Sequence, residues 1–339
     1  MKKTIFVALI VMLLMAGMAE AQKPKSETVR LTAGSTSSVS GVYVWSVAIA
    51  RVINKYVPGI RVTVVESGAT YDNLRRMREG IFDYGTGEGW GGILEMYKGL
   101  ETFEGNAWEP IRVFLVRDSA WGRTFVRADS GIKTWSDLKG KKLSGGTPGS
   151  GGATRVARCN EFLGTGAIVV PGSLSDAAAD LQSGRLDAVL KSGPRDGFDA
   201  AMLATHVIRP LTVIGFSDEE AAKLSARYPH FTLMKIPAGT IKPLPKLGDI
   251  WEMVTIGGAA TTSRLPEDVV YRMIKAIYEH WSEIGQAFPS CASVNPITEY
   301  VNLVPKGMEV PFHAGVVRYA KEKGINIPAS LIPPEYKQR

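Results

Sequence analysis

Three short runs of small residues, 34–41, 67–70 and 149–152, offer this sequence's clearest chemistry. Each follows a hydrophobic stretch and precedes residues spaced like one face of a helix. A helix start leaves its first amide N–H groups without partners and carries the positive end of the dipole. Such a terminus suits a carboxylate or a phosphate. Glycine lets a ligand approach the backbone, and Ser or Thr adds hydroxyl contacts. The same residue types also make ordinary strand-to-helix turns. One loop alone decides nothing, but three on two halves of the chain point to a shared polar site.

Other chemistries find less support. None of the loops is a P-loop, because no Gly-Lys-Ser or Gly-Lys-Thr follows the glycines. Gly87-Glu88-Gly89-Trp90-Gly91-Gly92 does match G-x-G-x-x-G. It lies well inside the first unit, however, and no acidic residue follows at the end of a second strand. His206, His230, His280 and His313 show neither H-x-x-x-H spacing nor cysteine neighbours suited to zinc. No G-x-S-x-G elbow occurs. Ser, His and Asp brought together only by folding stay open as a catalytic arrangement. His313, next to Pro311 and Phe312, reads as a helix-start residue rather than a base.

The elements that must position these loops alternate between strand and helix from Thr28 onward, the pattern of an α/β fold with a mainly parallel sheet. Val29 and Leu31 open a strand, and Val42, Trp45, Ile49, Val52, Ile53 and Tyr56 recur at helical spacing. Pro58-Gly59 stops that helix before Ile60, Val62 and Val64 alternate as a second strand. An apolar run over 111–116 leaves the first unit, and Thr124-Phe125-Val126 opens the next. That second unit repeats the plan, with a helix over 153–163 and a strand over 167–170. Ser217 and Glu220 form a capping box. Residues 237–248, rich in Pro, Gly and Lys, read as a surface connection. A strand over 253–256 precedes the longest helix, from Pro266 to Gly285, and a last helix covers 310–323. The plan is two α/β units with the final third returning to the first, and the cleft between such units is where small ligands bind.

The first residues read as an export signal. Lys2 and Lys3 precede an apolar run over 5–15, and Ala19-Glu20-Ala21 supplies a signal-peptidase pattern, with cleavage expected after Ala21. That run is shorter than the ~20 residues a membrane span needs. With 45% hydrophobic and 22% charged residues the remainder is an ordinary globular composition. The net charge of +7 is spread singly, with Arg75, Arg76 and Arg78 the densest cluster, on an amphipathic helix. That distribution speaks against a nucleic-acid partner, while a mild positive field favours anionic solutes. Cys159 and Cys291 are expected in different lobes and unpaired.

Five stretches, in this order and spacing, carry a family resemblance. They are Leu31-Thr32-Ala33-Gly34-Ser35-Thr36 through Gly41-Val42-Tyr43; Glu66-Ser67-Gly68-Ala69-Thr70 with Asn73-Leu74; and Trp135-Ser136-Asp137-Leu138-Lys139-Gly140-Lys141 leading to Gly146-Thr147-Pro148-Gly149-Ser150-Gly151. Gly184-Arg185-Leu186-Asp187-Ala188, with Tyr228-Pro229 and Ile236-Pro237-Ala238-Gly239-Thr240, is the fourth. Val310-Pro311-Phe312-His313-Ala314-Gly315 with Arg318-Tyr319 is the fifth. Over nearly all of the mature chain the sequence resembles the TAXI group of TRAP-transporter solute receptors.

The resemblance implies a two-lobed α/β fold of the type II periplasmic binding-protein kind, with two interlobe crossings and a ligand cleft between the lobes. Lobe I would comprise 22–118 and 256–339, and lobe II 119–255. It implies a periplasmic monomer that hands a small anionic or zwitterionic solute to a TRAP membrane permease. A dicarboxylate, a keto acid or an amino acid such as glutamate is the implied class of solute. No catalytic residue, no cofactor and no protein-bound metal site is implied, although calcium accompanies the ligand in some such receptors. Carried over residue by residue, the cleft is lined by Ser35, Thr36, Ser40, Gly41 and Tyr43, by Ser67, Ala69, Thr70 and Asn73, by Gly87, and by Gly149, Ser150, Gly151 and Gly152.

Four departures bear on the ligand. The first loop is about one residue longer than in relatives, Glu88 stands where they often carry glutamine, and Lys191 stands where many have an aromatic. Gly152-Ala153 also replaces a common Thr-Glu. Glu88 would receive an ammonium or cation while Lys191 or Arg195 pairs with a carboxylate. Alternatively, Glu88 and Lys191 bridge each other across the closed cleft. Besides a transport receptor, a sensor feeding a membrane signalling partner and an enzyme on the same two-lobed fold remain as readings.

Overall fold

Alternation of apolar and polar side chains builds the first strands. A computed structural model describes residues 28–304 and 307–337, so the expected export signal lies outside the described residues. Strand β1 (Val29–Gly34) pairs in parallel with β2 (Ile60–Val65), Val29 opposite Ile60. In β2 the side chains of Ile60 and Val62 are buried while Arg61 and Thr63 face outward. Helix α1 (Gly41–Tyr56) joins them, burying Trp45, Ile49, Val52 and Ile53. Helix α2 (Thr70–Glu79) buries Tyr71, Leu74 and Met77 at three-residue spacing and ends on left-handed Gly80. Strand β3 (Tyr84–Gly89) then runs parallel to β1 and leads into α3 (Trp90–Lys98).

The chain leaves this unit on one long strand, β4 (Ile111–Arg127), and returns on another, β10 (Ile250–Thr262). Sequence reading breaks the first of these into two segments. The structure shows one strand of 17 residues. The polar triplet Arg117-Asp118-Ser119 looks like an interruption, but Asp118 and Ser119 keep antiparallel register with Gly257 and Ile256 of β10.

Between the two crossings lie β5 (Lys142–Ser144), α4 (Gly151–Leu163), β6 (Ile168–Val169), α5 (Leu174–Ser183) and β7 (Ala188–Gly193). Helix α6 (Ala200–Ile208), β8 (Leu211–Ile214), α7 (Asp218–Arg227) and β9 (Thr232–Ile236) follow. The strands join in the order β2-β1-β3-β10-β4-β7-β5-β6, with β8 on β4 and β9 on β10. The Ser217–Glu220 capping box is present at α7.

The remaining helices are α8 (Glu267–Glu279), α9 (Trp281–Ala287), α10 (Thr298–Leu303) and α11 (Ala314–Glu322). The single long helix expected from Pro266 is thus two, broken at His280, whose φ of −115° and ψ of 25° are not helical. The break turns Trp281 inward, where its indole N–H donates to the Cys291 carbonyl at 2.9 Å. Helix α11 starts four residues later than expected, because Phe312 forms a bridge with Val113 of β4. His313 caps it, accepting from the Gly315 amide at 3.1 Å.

Hydrophobic packing divides the molecule into two lobes. One cluster draws on Leu31 to Val116 and on Ala259 to Leu331 (lobe I). Two further clusters use residues from Trp121 to Val254 (lobe II). The boundaries expected at 118–119 and 255–256 fall inside the two crossing strands. Cys291 lies in the first core and Cys159 in the second, and both are buried, free thiols.

Candidate functional site

The small-residue loops converge on a cavity of about 470 Å³ between the lobes. Lobe I contributes Thr36, Ser40 and Gly41 before and at the start of α1, Ser67, Ala69 and Thr70 around the start of α2, and Gly87 and Glu88 from β3. Lobe II contributes Ser150, Gly151 and Gly152 at the start of α4 and Lys191 from β7. Five expected positions do not line it. Ser35 and Asn73 are fully buried beneath the loops. Tyr43 is on α1, partly exposed, and Arg195 is exposed over the Trp121 ring at 5.8 Å. Gly149 is spent on a contact between the lobes.

Most of the loop hydroxyls hold the loops to each other. Ser46 Oγ lies 2.6 Å from both Ser35 Oγ and Thr86 Oγ1. Ser67 Oγ is 2.6 Å from the Ser35 carbonyl oxygen and 2.6 Å from Asn73 Oδ1. Asn73 Nδ2 donates to the Ser35 carbonyl at 2.8 Å and to Glu88 Oε1 at 2.7 Å. This buried network fixes the loop shapes, since leaving any member unpaired would cost about 1–3 kcal/mol.

Glu88 belongs to that network. It is 1% exposed, and among the described residues its Oε2 has no partner and no basic group stands within ion-pair distance. Burial pushes its carboxyl well above the ordinary glutamate range, against the Asn73 hydrogen bond. The bridge between Glu88 and Lys191 is not formed. Lys191 instead lies 3.6 Å from Asp199 and donates to Ser40 Oγ across the cleft at 3.2 Å.

The helix starts are also largely committed. Ser40 Oγ accepts from Val42 N, and Ser150 Oγ from Ala153 N. At α2 the amides of Tyr71 and Asp72 donate to the Gly149 carbonyl of lobe II, at 2.8 and 3.3 Å. A backbone oxygen from the opposite lobe thus occupies the position an anion would take. Just ahead, Ala69 holds φ 67° and ψ −151°, a conformation that favours glycine.

Two charged residues that sequence reading passed over dominate the walls. Arg155, one turn into α4, lines the cavity. Its Nε donates to the Gly151 carbonyl at 3.1 Å and its Nη2 to Ser192 Oγ at 2.8 Å. Among the described residues its Nη1 makes no hydrogen bond and it has no carboxylate within 4.0 Å, whereas Arg117 pairs with Asp118 at 2.8 Å. The signal was a lone Arg four residues beyond Gly151, which looks like a solvated helix face.

Glu95 of α3 is the second. It is 0% exposed and receives Arg158 of α4 in a two-pronged contact of 2.6 and 3.0 Å. His230 Nε2 of lobe II lies 3.0 Å away, and the Tyr71 hydroxyl donates at 3.0 Å. Burial works against its ionisation, but His230 and Arg158 outweigh that and hold the carboxyl down at about 2. A glutamate inside Ile93-Leu94-Glu95-Met96, on a buried helix, was the legible sign that a cationic partner must exist.

His313 is far from this chemistry. It is buried, its Nε2 meets the Leu265 carbonyl at 3.0 Å, and burial lowers its pKa to about 4. No group of three or more His, Cys, Asp or Glu suited to a metal occurs among the described residues, and no helix there is long and apolar enough to cross a membrane.

Two lobes, a mixed sheet shared through two crossing strands and a cleft between them define the type II periplasmic binding-protein fold. The chain belongs to the NMT1-like family, whose pattern it matches over residues 32–324. The periplasmic binding protein BugD superposes with a TM-score of 0.51 at 11% identity, covering 80% of this chain and 89% of that one. The GluR0 ligand-binding core from Nostoc punctiforme in complex with L-glutamate gives 0.47 at 14% identity, over 76% and 99%. An ancestral arginine-binding protein bound to arginine gives 0.46 at 16% identity, over 77% and 97%.

Proposed function

We propose that this protein is an extracytoplasmic solute receptor that closes its two lobes on a small organic acid. The observation that carries this reading is Arg155, a cavity-lining guanidinium with a free N–H edge and no carboxylate partner among the described residues. A guanidinium in a confined, partly desolvated site is a strong receptor for a carboxylate. Gly151 and Gly152, at the first turn of α4, line the same wall and add the favourable end of a helix dipole. Closure would shield the captured acid from water and select the state that docks to its partner.

The five-stretch resemblance to TAXI receptors extends the reading to its setting. The mature chain would work as a periplasmic monomer after removal of its signal peptide and deliver its cargo to a TRAP permease. No catalytic step and no resident cofactor belong to this reading.

Mass spectrometry of small molecules released on denaturing protein purified from its native host tests it. The expected result is an organic acid in stoichiometric amount, absent from an Arg155→Met variant. A released molecule with no acidic group, or one chemically converted on incubation with the protein, would overturn it.

A further inference from the structure

The charges around the cavity narrow the class of solute, an extension that rests on the receptor reading of the same cleft. Three Arg or Lys side chains line the cavity, besides His230, which is turned to Glu95. Arg117 is committed to Asp118 at 2.8 Å, and Lys191 lies 3.6 Å from Asp199 with a second bond to Ser40. Only Arg155, among the described residues, is left without a carboxylate within 4.0 Å. A solute with two carboxylates would leave the second unmatched in a confined space, which costs several kcal/mol.

The acids of the lining point the same way. Glu95 is saturated by Arg158 and His230. The Glu88 carboxyl is sealed beneath the loops against Asn73. Glu66 is exposed at the rim, where water weakens its pull on an ammonium group. Asp118 and Asp199 are taken by Arg117 and Lys191, and the enclosed Glu88 Oε2, though unpartnered, belongs to a carboxyl that burial holds towards its neutral form. Among the described residues no enclosed, unpaired carboxylate is left for the ammonium of an amino acid.

The remaining wall is large and substantially apolar. The space of about 470 Å³ is on the order of fifteen waters at about 30 Å³ each, and a short dicarboxylate leaves much of it unfilled. Leu174, Val189, Phe198, Val254 and Phe288 contribute to the lining from both lobes. Several hydroxyls nearby are already spent. Ser67 is bonded beneath its loop, Thr70 donates to the Gly87 carbonyl at 3.1 Å, and Ser150 caps α4.

We infer that the solute is an amphipathic monoanion, with one carboxylate held by Arg155 and an apolar body against the Phe198 side of the cleft. Such a ligand matches one free cation with one charge and uses apolar burial for the rest of its affinity.

Isothermal titration of the ligand-stripped, refolded protein with 4-phenylbutyrate, glutarate, L-glutamate and L-phenylalanine tests this. The expected order places 4-phenylbutyrate at least tenfold tighter than the other three, with a loss of thirtyfold or more in Arg155→Met and partial recovery in Arg155→Lys. Tighter binding of glutarate or L-glutamate overturns the single-anion inference and leaves the receptor reading standing. Tighter binding of L-phenylalanine overturns it in favour of a zwitterion. A flat response to all four also overturns it, and the receptor reading is then judged separately by the molecule released from native protein.

Discussion

Asn73 and Glu88 meet at 2.7 Å beneath the cleft, with Asn73 also tied to the Ser35 carbonyl and to Ser67. This pair makes Glu88 part of the floor that shapes the loops. Its carboxyl is held above the ordinary range by burial. The folded state therefore binds the Glu88 proton more tightly than the unfolded state does. Stability from this group is complete below the unfolded value of 4.5 and falls as pH rises towards the folded value. Glu88→Gln, which mimics the protonated acid, should flatten that decline and raise stability at pH 8 by about 1 kcal/mol. Urea denaturation of both proteins from pH 4 to pH 8 checks it, and parallel curves would refute the assignment.

Glu95 acts between lobes, so its loss should appear in closure more than in folding. Breaking a buried ion pair costs about 3–5 kcal/mol, and here Arg158 and His230 reach Glu95 from the other lobe. Glu95→Gln should enlarge the radius of gyration in X-ray scattering and weaken ligand binding at least tenfold. The latch holds above the ordinary glutamate value of 4.5 and is lost as pH falls through about 2.

Arg155 and Lys191 should separate in calorimetry. Arg155→Met removes the free guanidinium and should cost about 2–5 kcal/mol of affinity. Lys191→Met removes a lysine already satisfied by Asp199 and Ser40, and should cost less than tenfold. Equal losses would place both on the ligand.

Ala69 carries a backbone conformation suited to glycine. Strain of that kind costs about 1–3 kcal/mol, partly offset by the ~0.5–1 kcal/mol that glycine loses in unfolded-chain entropy. Ala69→Gly should therefore raise the urea midpoint. A lower midpoint would mean the alanine methyl packs well enough to outweigh the strain.

Both thiols should be silent in the native protein. Burial pushes Cys159 and Cys291 up to about 12, leaving little thiolate to react. Ellman's reagent should detect neither until guanidinium unfolds the chain, when both should respond.

The alternation of strands and helices, the cap at Ser217 and the three loops were legible because period and residue type report local structure directly. The direction of a side chain within a loop is not local information. Ser35 and Thr36 are adjacent and alike, yet only Thr36 lines the cavity. Arg155 and Glu95 escaped for the same reason. Each sits on an ordinary helix; Glu95 acquires its role only when the other lobe arrives, and Arg155 only through the cavity that both lobes enclose. The continuity of β4 was hidden by Arg117 and Asp118, whose polarity reads as a loop until their mutual pairing is seen.

The two strands that carry the chain across make the junction a leaf spring rather than a swivel. Asp118 and Ser119 remain hydrogen-bonded opposite Gly257 and Ile256 where the cores part, so opening must bend a paired ribbon instead of rotating a slack loop. The same ribbon belongs to the sheet in both lobes, so cutting it would strip each half of strand neighbours.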